Sequence, residues 1–419
     1  MELTVYRQAF KERPDGTIVY KGEDALPLVN DRLLLVADGL GGAAAIRHQN
    51  IRPELFDPAL LPKVLFGQQY VGDIPPAFET YIRDSFFELF AVRDCYTDNV
   101  NNIKKSGYFA SRIVAGIFLH IFLYNDPPFD CLGWIDHLSA LPAEERRAQL
   151  QKEEEHLTSE VVEGLKQVAE RAGLTYESAY SGLALLGTTL CLTLYRETED
   201  GVRAVYLTAG DSRPYVWEES KGLRQLLPDE EGPDGGMTNY IRANNTEGIR
   251  IRCDFMTFRK PCILFNASDG CFDSKQFLSP MAFEKLLLDT AVISKSEKEM
   301  GERLTDFFKE HGRHDDSSTM AMKFFGYDSF ESLQESAKKR LEALQEKYLE
   351  KMPDLLEYDY ATGISLKPEE EKPAVPEGTA EPSPADETVL QLKRSLQEAL
   401  FENYLHDYIA FPDRYVSED

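Results

Sequence analysis

The chain has 419 residues, 42% of them hydrophobic, enough for one large domain or two ordinary ones with a sizeable core. Its 72 acidic residues against 46 basic ones leave a net charge of −26 with no dense Lys/Arg block, which repels a phosphate backbone and argues against a nucleic-acid partner. Six cysteines (Cys95, Cys131, Cys191, Cys253, Cys262 and Cys271) stand without a CxxC pair, which excludes a disulfide framework and a zinc finger and points to a reducing compartment.

The N-terminus carries charges where a signal peptide needs an apolar stretch. The most apolar run, 113–124, contains His120 and is too short to span a bilayer, so a buried helix is expected there and cytoplasmic localisation follows by default. Residues 3–10 and 17–20 read as a short hairpin turning at Asp15-Gly16. Two adjacent acids, Glu23 and Asp24, come next. Residues 33–37 are five consecutive apolar residues, the pattern of a strand covered on both faces. Asp38-Gly39-Leu40-Gly41-Gly42 then lets the backbone turn sharply and approach a ligand closely.

From about 43 to 180 the spacing becomes helical. Phe78, Tyr81, Ile82, Ser85, Phe86 and Leu89 mark one stripe, 109–124 is apolar throughout, and 144–172 carries Leu150, Leu157, Val161, Leu165 and Val168 on one face. Asp126-Pro127-Pro128 and Leu141-Pro142 divide the block. Strand character returns at 187–195, 202–209 and 214–217, the last two joined by Gly210-Asp211-Ser212-Arg213. An apolar strand over 259–267 ends in Ser268-Asp269-Gly270, which again delivers a carboxylate at a strand's end. Helices near 280–290 and 296–311 precede Asp315-Asp316 and a last strand, 318–325.

Beyond Gly326, Phe330, Leu333, Ala337, Leu341, Leu344 and Tyr348 form a short heptad seam that packs on the domain or on another chain. The expected organisation is a domain over 1–326 with an enlarged helical region, 43–180, inside it. A helical extension follows at 327–362, then a Pro/Glu-rich linker at 363–388 and an amphipathic helix at 389–419.

Taken in order, Glu23-Asp24, Asp38-Gly39, Gly187-Thr188-Thr189, Gly210-Asp211-Ser212-Arg213, Ser268-Asp269-Gly270 and Asp315-Asp316-x-Ser318 resemble the motif series of the PP2C (PPM) metal-dependent protein serine/threonine phosphatases, over roughly 1–50 and 185–325. The resemblance implies an α+β fold, an α-β-β-α sandwich of two antiparallel sheets flanked by helices, here with an enlarged helical insertion and a helical C-terminal extension. It also implies two Mn²⁺ or Mg²⁺ ions bridged by Asp38, with Glu23 and the Gly39 carbonyl on one and Asp269 and Asp315 on the other; Asp316, paired with Thr319, is the alternative register. Asp38 and Asp269 would be the catalytic carboxylates. The implied reaction is hydrolysis of phosphoserine or phosphothreonine on proteins by direct attack of a metal-bridging hydroxide.

Oxygen-only ligands suit hard cations, and a shared carboxylate and water suit phosphoryl displacement without a covalent intermediate. Leu40 stands where animal members carry a histidine, as in the bacterial branch, and leaves no assigned proton donor for the leaving group. The arginine that usually precedes the acidic pair is missing and Lys21 is the nearby cation, a charge without a bidentate fork. Residues 178–186 contain no acid, so a third metal is not expected. The expected partner is a phosphoprotein, with a further protein partner at the C-terminal helices as an option. Two rival readings are a PP2C-fold scaffold of little or no activity and a phosphatase acting on a small phosphoester.

Overall fold

Two five-stranded antiparallel sheets lie face to face at the centre of the molecule. The structure, a computed structural model, describes residues 1–8, 10–12, 18–20, 23–40, 45–47, 103–124, 129–172, 186–228, 230, 239–243, 248–272, 279–311, 316–351, 358–359, 364–365 and most positions in 399–410, with 392 and 395–396. The first sheet runs β1 (Glu2–Arg7), β16 (Ser318–Phe325), β15 (Cys262–Ala267), β11 (Arg213–Glu218) and β12 (Gly222–Gln225). The second runs β14 (Arg252–Arg259), β10 (Gly201–Ala209), β9 (Leu190–Glu197), β5 (Leu33–Val36) and β4 (Leu28–Val29).

Helices α1 (Ser106–Leu119), α2 (Cys131–Ala140) and α3 (Ala143–Ala172) cover the outer face of the second sheet. Helices α4 (Pro280–Ile293), α5 (Glu297–His311) and α6 (Phe330–Leu344) cover the outer face of the first. Helices and strands therefore stack as four layers, the expected sandwich.

Strand β5 shows why its apolar run has no polar alternation. Leu33 and Leu35 enter the cluster beneath α1, α2 and α3, while Leu34 and Val36 enter the cluster between the sheets. The pleat sends successive side chains to opposite faces, and here both faces are dry. Strand β16 follows the same rule, with Met320, Met322 and Phe324 toward α4 and α5 and Ala321 and Phe325 between the sheets.

One polar side chain crosses the inter-sheet space. Asn266 of β15, fully buried, donates through Nδ2 to the Leu34 carbonyl at 3.2 Å and the Cys191 carbonyl at 3.0 Å, and its Oδ1 accepts from Thr193 Oγ1 at 2.7 Å. A buried amide with these partners satisfied ties the sheets together just below the ends of β5 and β15, where Asp38 and Asp269 emerge.

The helices expected over 144–172, 280–290 and 296–311 and the strand expected over 318–325 are observed as Ala143–Ala172, Pro280–Ile293, Glu297–His311 and Ser318–Phe325. The expected hairpin between 3–10 and 17–20 is corrected: β1 pairs over six residues with β16, more than three hundred residues away, and only β2 (Phe10–Glu12) meets β3 (Ile18–Tyr20). The alternating burial of Leu3, Val5 and Arg7 explains it, because a two-stranded hairpin has no second layer in which to bury them.

Strand β14 was not anticipated. Its approach is capped by α3, where Glu154 Oε1 accepts from Cys253 N–H at 2.8 Å and Thr158 Oγ1 accepts from Ile251 N–H at 2.9 Å. The stripe at 78–89, and with it much of the 43–180 region, lies outside the described residues.

The heptad seam packs within the chain. Phe330, Leu333, Ala337, Leu344 and Tyr348 are buried in the cluster that holds α4, together with Tyr404 and Tyr408. Arg340 reaches Glu284 of α4 at 2.8 Å, and Tyr408 OH meets Tyr215 OH of β11 at 3.2 Å. The five described cysteines are buried and free. Among the described residues no helix is long and apolar enough to cross a membrane.

Candidate metal centre

Four strand ends converge at one edge of the sandwich. Asp38 follows β5, and its peptide is held from both sides by the Gly187-Thr188-Thr189 segment. Its N–H donates to Thr189 Oγ1 at 3.1 Å, and its carbonyl accepts from Thr189 N–H at 2.8 Å and Thr188 Oγ1 at 2.6 Å. Thr189 Oγ1 lies 2.7 Å from Ser212 Oγ in the Gly210–Arg213 turn, so the third and fourth motifs meet through hydroxyls. Arg213 of that turn stacks its guanidinium 3.9 Å from the ring of Phe272, just past Ser268-Asp269-Gly270.

Gly39 sits where no side chain fits. A Cβ there would lie 2.4 Å from the Gly107 carbonyl oxygen and 2.5 Å from that of Glu23. The start of α1 therefore packs backbone to backbone on the Asp38-Gly39 peptide, and the Gly39 carbonyl segment is set between α1 and the acidic pair. Gly270 has the same role opposite: a Cβ would meet the Ser317 carbonyl oxygen at 1.8 Å.

The acidic pair is held from α1 and β1. Ser111 Oγ donates to the Glu23 carbonyl at 2.5 Å, Arg112 Nη1 donates to it at 3.3 Å, and Tyr6 OH donates to the Asp24 carbonyl at 3.4 Å. Asp24 Oδ2 accepts a 2.5 Å hydrogen bond from Thr319 Oγ1 of β16, and its Oδ1, though buried, has no hydrogen-bond partner. Asp269 opens a single helical turn after β15, and Ser268 Oγ accepts from Thr319 N–H at 3.0 Å.

The result is a group of three carboxylates. One oxygen each from Asp24, Asp38 and Asp316 lies within 4.8 Å of the others, with Asp24 and Asp38 buried. Burial pushes the Asp24 carboxyl up to about 6, and the Asp269 charge adds to the rise. Burial also holds Asp38 well above the usual carboxylate range, reinforced by the charges of Asp24, Asp269 and Asp316. Like charges this close disfavour ionisation of one another unless a cation is shared between them. Three carboxylates with a buried, unpartnered oxygen form a hard donor set that fits Mn²⁺ or Mg²⁺.

Of the residues singled out in the sequence, the structure brings Asp38 and Asp316 together and places Asp269 near enough to act on Asp38. From the acidic pair it is Asp24, not Glu23, that enters the three-carboxylate group; Glu23 is buried and presents its carbonyl to α1. Asp315 and Lys21 lie outside the described residues. Reading by motif passed over Asp24 and Thr319 as a contacting pair, although both stand in the motifs. Arg7, Ser111 and Arg112 carry no motif signal at all.

No protein-family model matches the chain, and no curated protein does. Solved structures that match it include bacterial serine/threonine phosphatases. PstP/Ppp of Mycobacterium tuberculosis is 15% identical over 78% of this chain and 99% of its own, with a TM-score of 0.42. Stp1 of Staphylococcus aureus is 16% identical over 78% of this chain and 95% of its own, at 0.36. A PstP catalytic domain in complex with two manganese ions is 15% identical over 77% of this chain and 96% of its own, at 0.33. The fold described above rests on the sheets and layers themselves and not on these overlaps.

Proposed function

We propose that this chain is a PP2C-type, metal-dependent phosphatase that removes phosphate from serine and threonine residues of proteins. The observation that carries the reading is the convergence of Asp24, Asp38 and Asp316, beside Asp269, from four separate segments onto one edge of the sandwich. Motifs far apart in sequence that meet at one point are hard to attribute to separate turn or cap roles. The alternation in order of an acidic pair, DGLGG, GTT, GDSR, SDG and DDxS adds to it.

Asp24, Asp38 and Asp316 would hold the ions with Asp269 beside them; Glu23, the Gly39 carbonyl and Asp315, expected as ligands from the motif series, are the further candidates, with Asp316 taking the place first given to Asp315. When bound, a pair of Mn²⁺ or Mg²⁺ ions supplies Lewis acidity and an acidified water for in-line displacement at phosphorus. The protein's part is to fix the carboxylates through the Thr188, Thr189, Ser268 and Thr319 hydrogen bonds and to keep Asp38 dry. With Leu40 in the loop, no side chain there can protonate the leaving alkoxide, and a water molecule would serve as the donor.

The test is hydrolysis of a phosphothreonine peptide by the full chain with Mn²⁺, beside Asp38→Asn and Asp269→Asn. Activity in the wild type that both substitutions abolish is the expected result. Undiminished activity in both variants would overturn the mechanism. A wild type that hydrolyses neither the peptide nor an aryl phosphate supports the scaffold reading instead, and preference for a small ester over the peptide supports a metabolite substrate.

A further inference from the structure

Asp316 stands two residues before β16, and something must turn its carboxylate toward Asp24 and Asp38. Arg7 is the side chain placed to do so. It is the last residue of β1, pairs with Ser318 in the β1–β16 ladder, and is only 3% exposed. From there its guanidinium reaches back along the neighbouring strand, and Nη1 donates to the Asp316 carbonyl oxygen at 2.5 Å. Other anchors of the segment act further on: Ser318 Oγ donates to the Gly270 carbonyl at 2.8 Å, and Thr319 donates to Ser268 Oγ and Asp24 Oδ2.

We propose that Arg7 is a positioning residue of the metal centre: it fixes the Asp316 peptide so that the carboxylate faces the site, and thereby sets the affinity for the ions. The inference rests on the metal-dependent reading of the acidic group. A guanidinium shut away from water is unsuited to seize a substrate phosphate, but its rigid fork holds a carbonyl in one direction where an ammonium on a flexible stem does not. Partners of this kind behind the ligands typically change metal affinity by about 10- to 100-fold when removed.

The charge of Arg7 makes the test discriminating. A cation beside a metal site repels the metal, so if charge were its whole contribution, removing it would tighten binding. If Arg7 orients Asp316, removing it weakens binding. Mn²⁺ binding to the full chain, measured by titration calorimetry on metal-stripped protein, separates the two.

Arg7→Met is expected to weaken Mn²⁺ binding about 10- to 100-fold. Arg7→Lys, which keeps the charge and loses the fork, is expected to fall between it and the wild type. It also serves alone if Arg7→Met does not fold. Mn²⁺ affinity unchanged or tightened in the folded variants overturns the proposal, even if their melting temperature falls, because that combination marks a purely structural arginine. A wild type that binds no Mn²⁺ overturns the metal-dependent reading itself, and this inference with it.

Discussion

Thr319 Oγ1 and Asp24 Oδ2 are 2.5 Å apart although 295 residues separate them in the chain. The contact joins the acidic pair to the final strand, and it is made by the residue that follows Ser318 and pairs with Asp316 in the alternative register of the last motif. It also belongs to a chain of hydroxyls: Ser268 accepts from Thr319 N–H, so one residue orients two acidic motifs.

Replacing Thr319 by Val keeps the shape and removes the donor. Asp24, whose other oxygen is already without a partner, then keeps its burial and loses its hydrogen bond. The expected cost is about 1–3 kcal/mol of stability in metal-stripped protein. Urea unfolding in the presence of a chelator measures it, and Thr319→Ser should recover most of the loss. Equal midpoints for wild type and valine variant would remove Thr319 from the account.

Asp24 contributes to the pH dependence beside Asp38, which burial and the neighbouring carboxylates also raise. The folded-state carboxyl of Asp24 lies at about 6 against 3.8 for an ordinary aspartate, so the folded protein binds this proton more tightly than the unfolded chain. The stability it contributes is complete below about pH 4, declines as pH rises through about 4 to 6, and is lost above, by roughly 3 kcal/mol in total. Metal-stripped protein should therefore lose stability over that window, and Asp24→Asn should flatten the fall. A profile that rises equally in both proteins would contradict the assignment. Bound Mn²⁺ should stabilise the wild type more near pH 7 than near pH 5.

Gly39→Ala places a methyl group against two backbone carbonyl oxygens, 2.4 Å from Gly107 and 2.5 Å from Glu23. Backbone cannot swing aside as a flexible side chain does, so α1 and the acidic pair must separate. The expected cost is about 1–3 kcal/mol or more, with weaker Mn²⁺ binding in whatever folds. A variant with wild-type melting temperature and Mn²⁺ affinity would show that the close approach is not needed.

Glu284 ties the C-terminal extension to the sandwich. Its Oε1 accepts from Trp217 Nε1 at 3.2 Å, Leu223 N–H at 3.1 Å and Arg340 Nε at 2.8 Å, and only 1% of Glu284 is exposed. Arg340→Met leaves that carboxylate buried without its cation and should cost about 3–5 kcal/mol. Glu284→Gln with Arg340→Met should recover part of it. A loss below about 1 kcal/mol for the single variant would mean the pair is solvated in solution.

Much of this was readable residue by residue. The apolar run at 33–37 has no polar alternation because both of its faces are covered, and Met320, Ala321, Met322, Phe324 and Phe325 make 318–325 legible for the same reason despite Lys323. The long helix at 143–172 is legible from Leu150, Leu157, Val161 and Leu165, all buried on one face. The pairing of β1 was misread, because a local turn signal at Asp15-Gly16 says nothing of a ladder with β16. Strand β14 was missed because Asp254 and Thr257 interrupt its apolar residues and arginines bound it at both ends; what makes it a strand is the pairing with β10 and the hydrogen bonds that Ile251 and Cys253 N–H donate to α3.

At the centre of the molecule the division is the same. Local chemistry determined, from sequence alone, that Asp38 and Asp269 would stand at strand ends beside glycines, since an apolar run must stop where a carboxylate surfaces and only glycine tolerates a Cβ-free approach. Which acid of the pair joins them, Asp24 rather than Glu23, and which side chains hold the site behind it were decided only by tertiary structure. Arg7, Ser111 and Arg112 act through contacts between distant segments, and hydrogen-bond geometry across that distance leaves no pattern in the order of residues; Thr319 stands in a motif, but its contact with Asp24 does not show there.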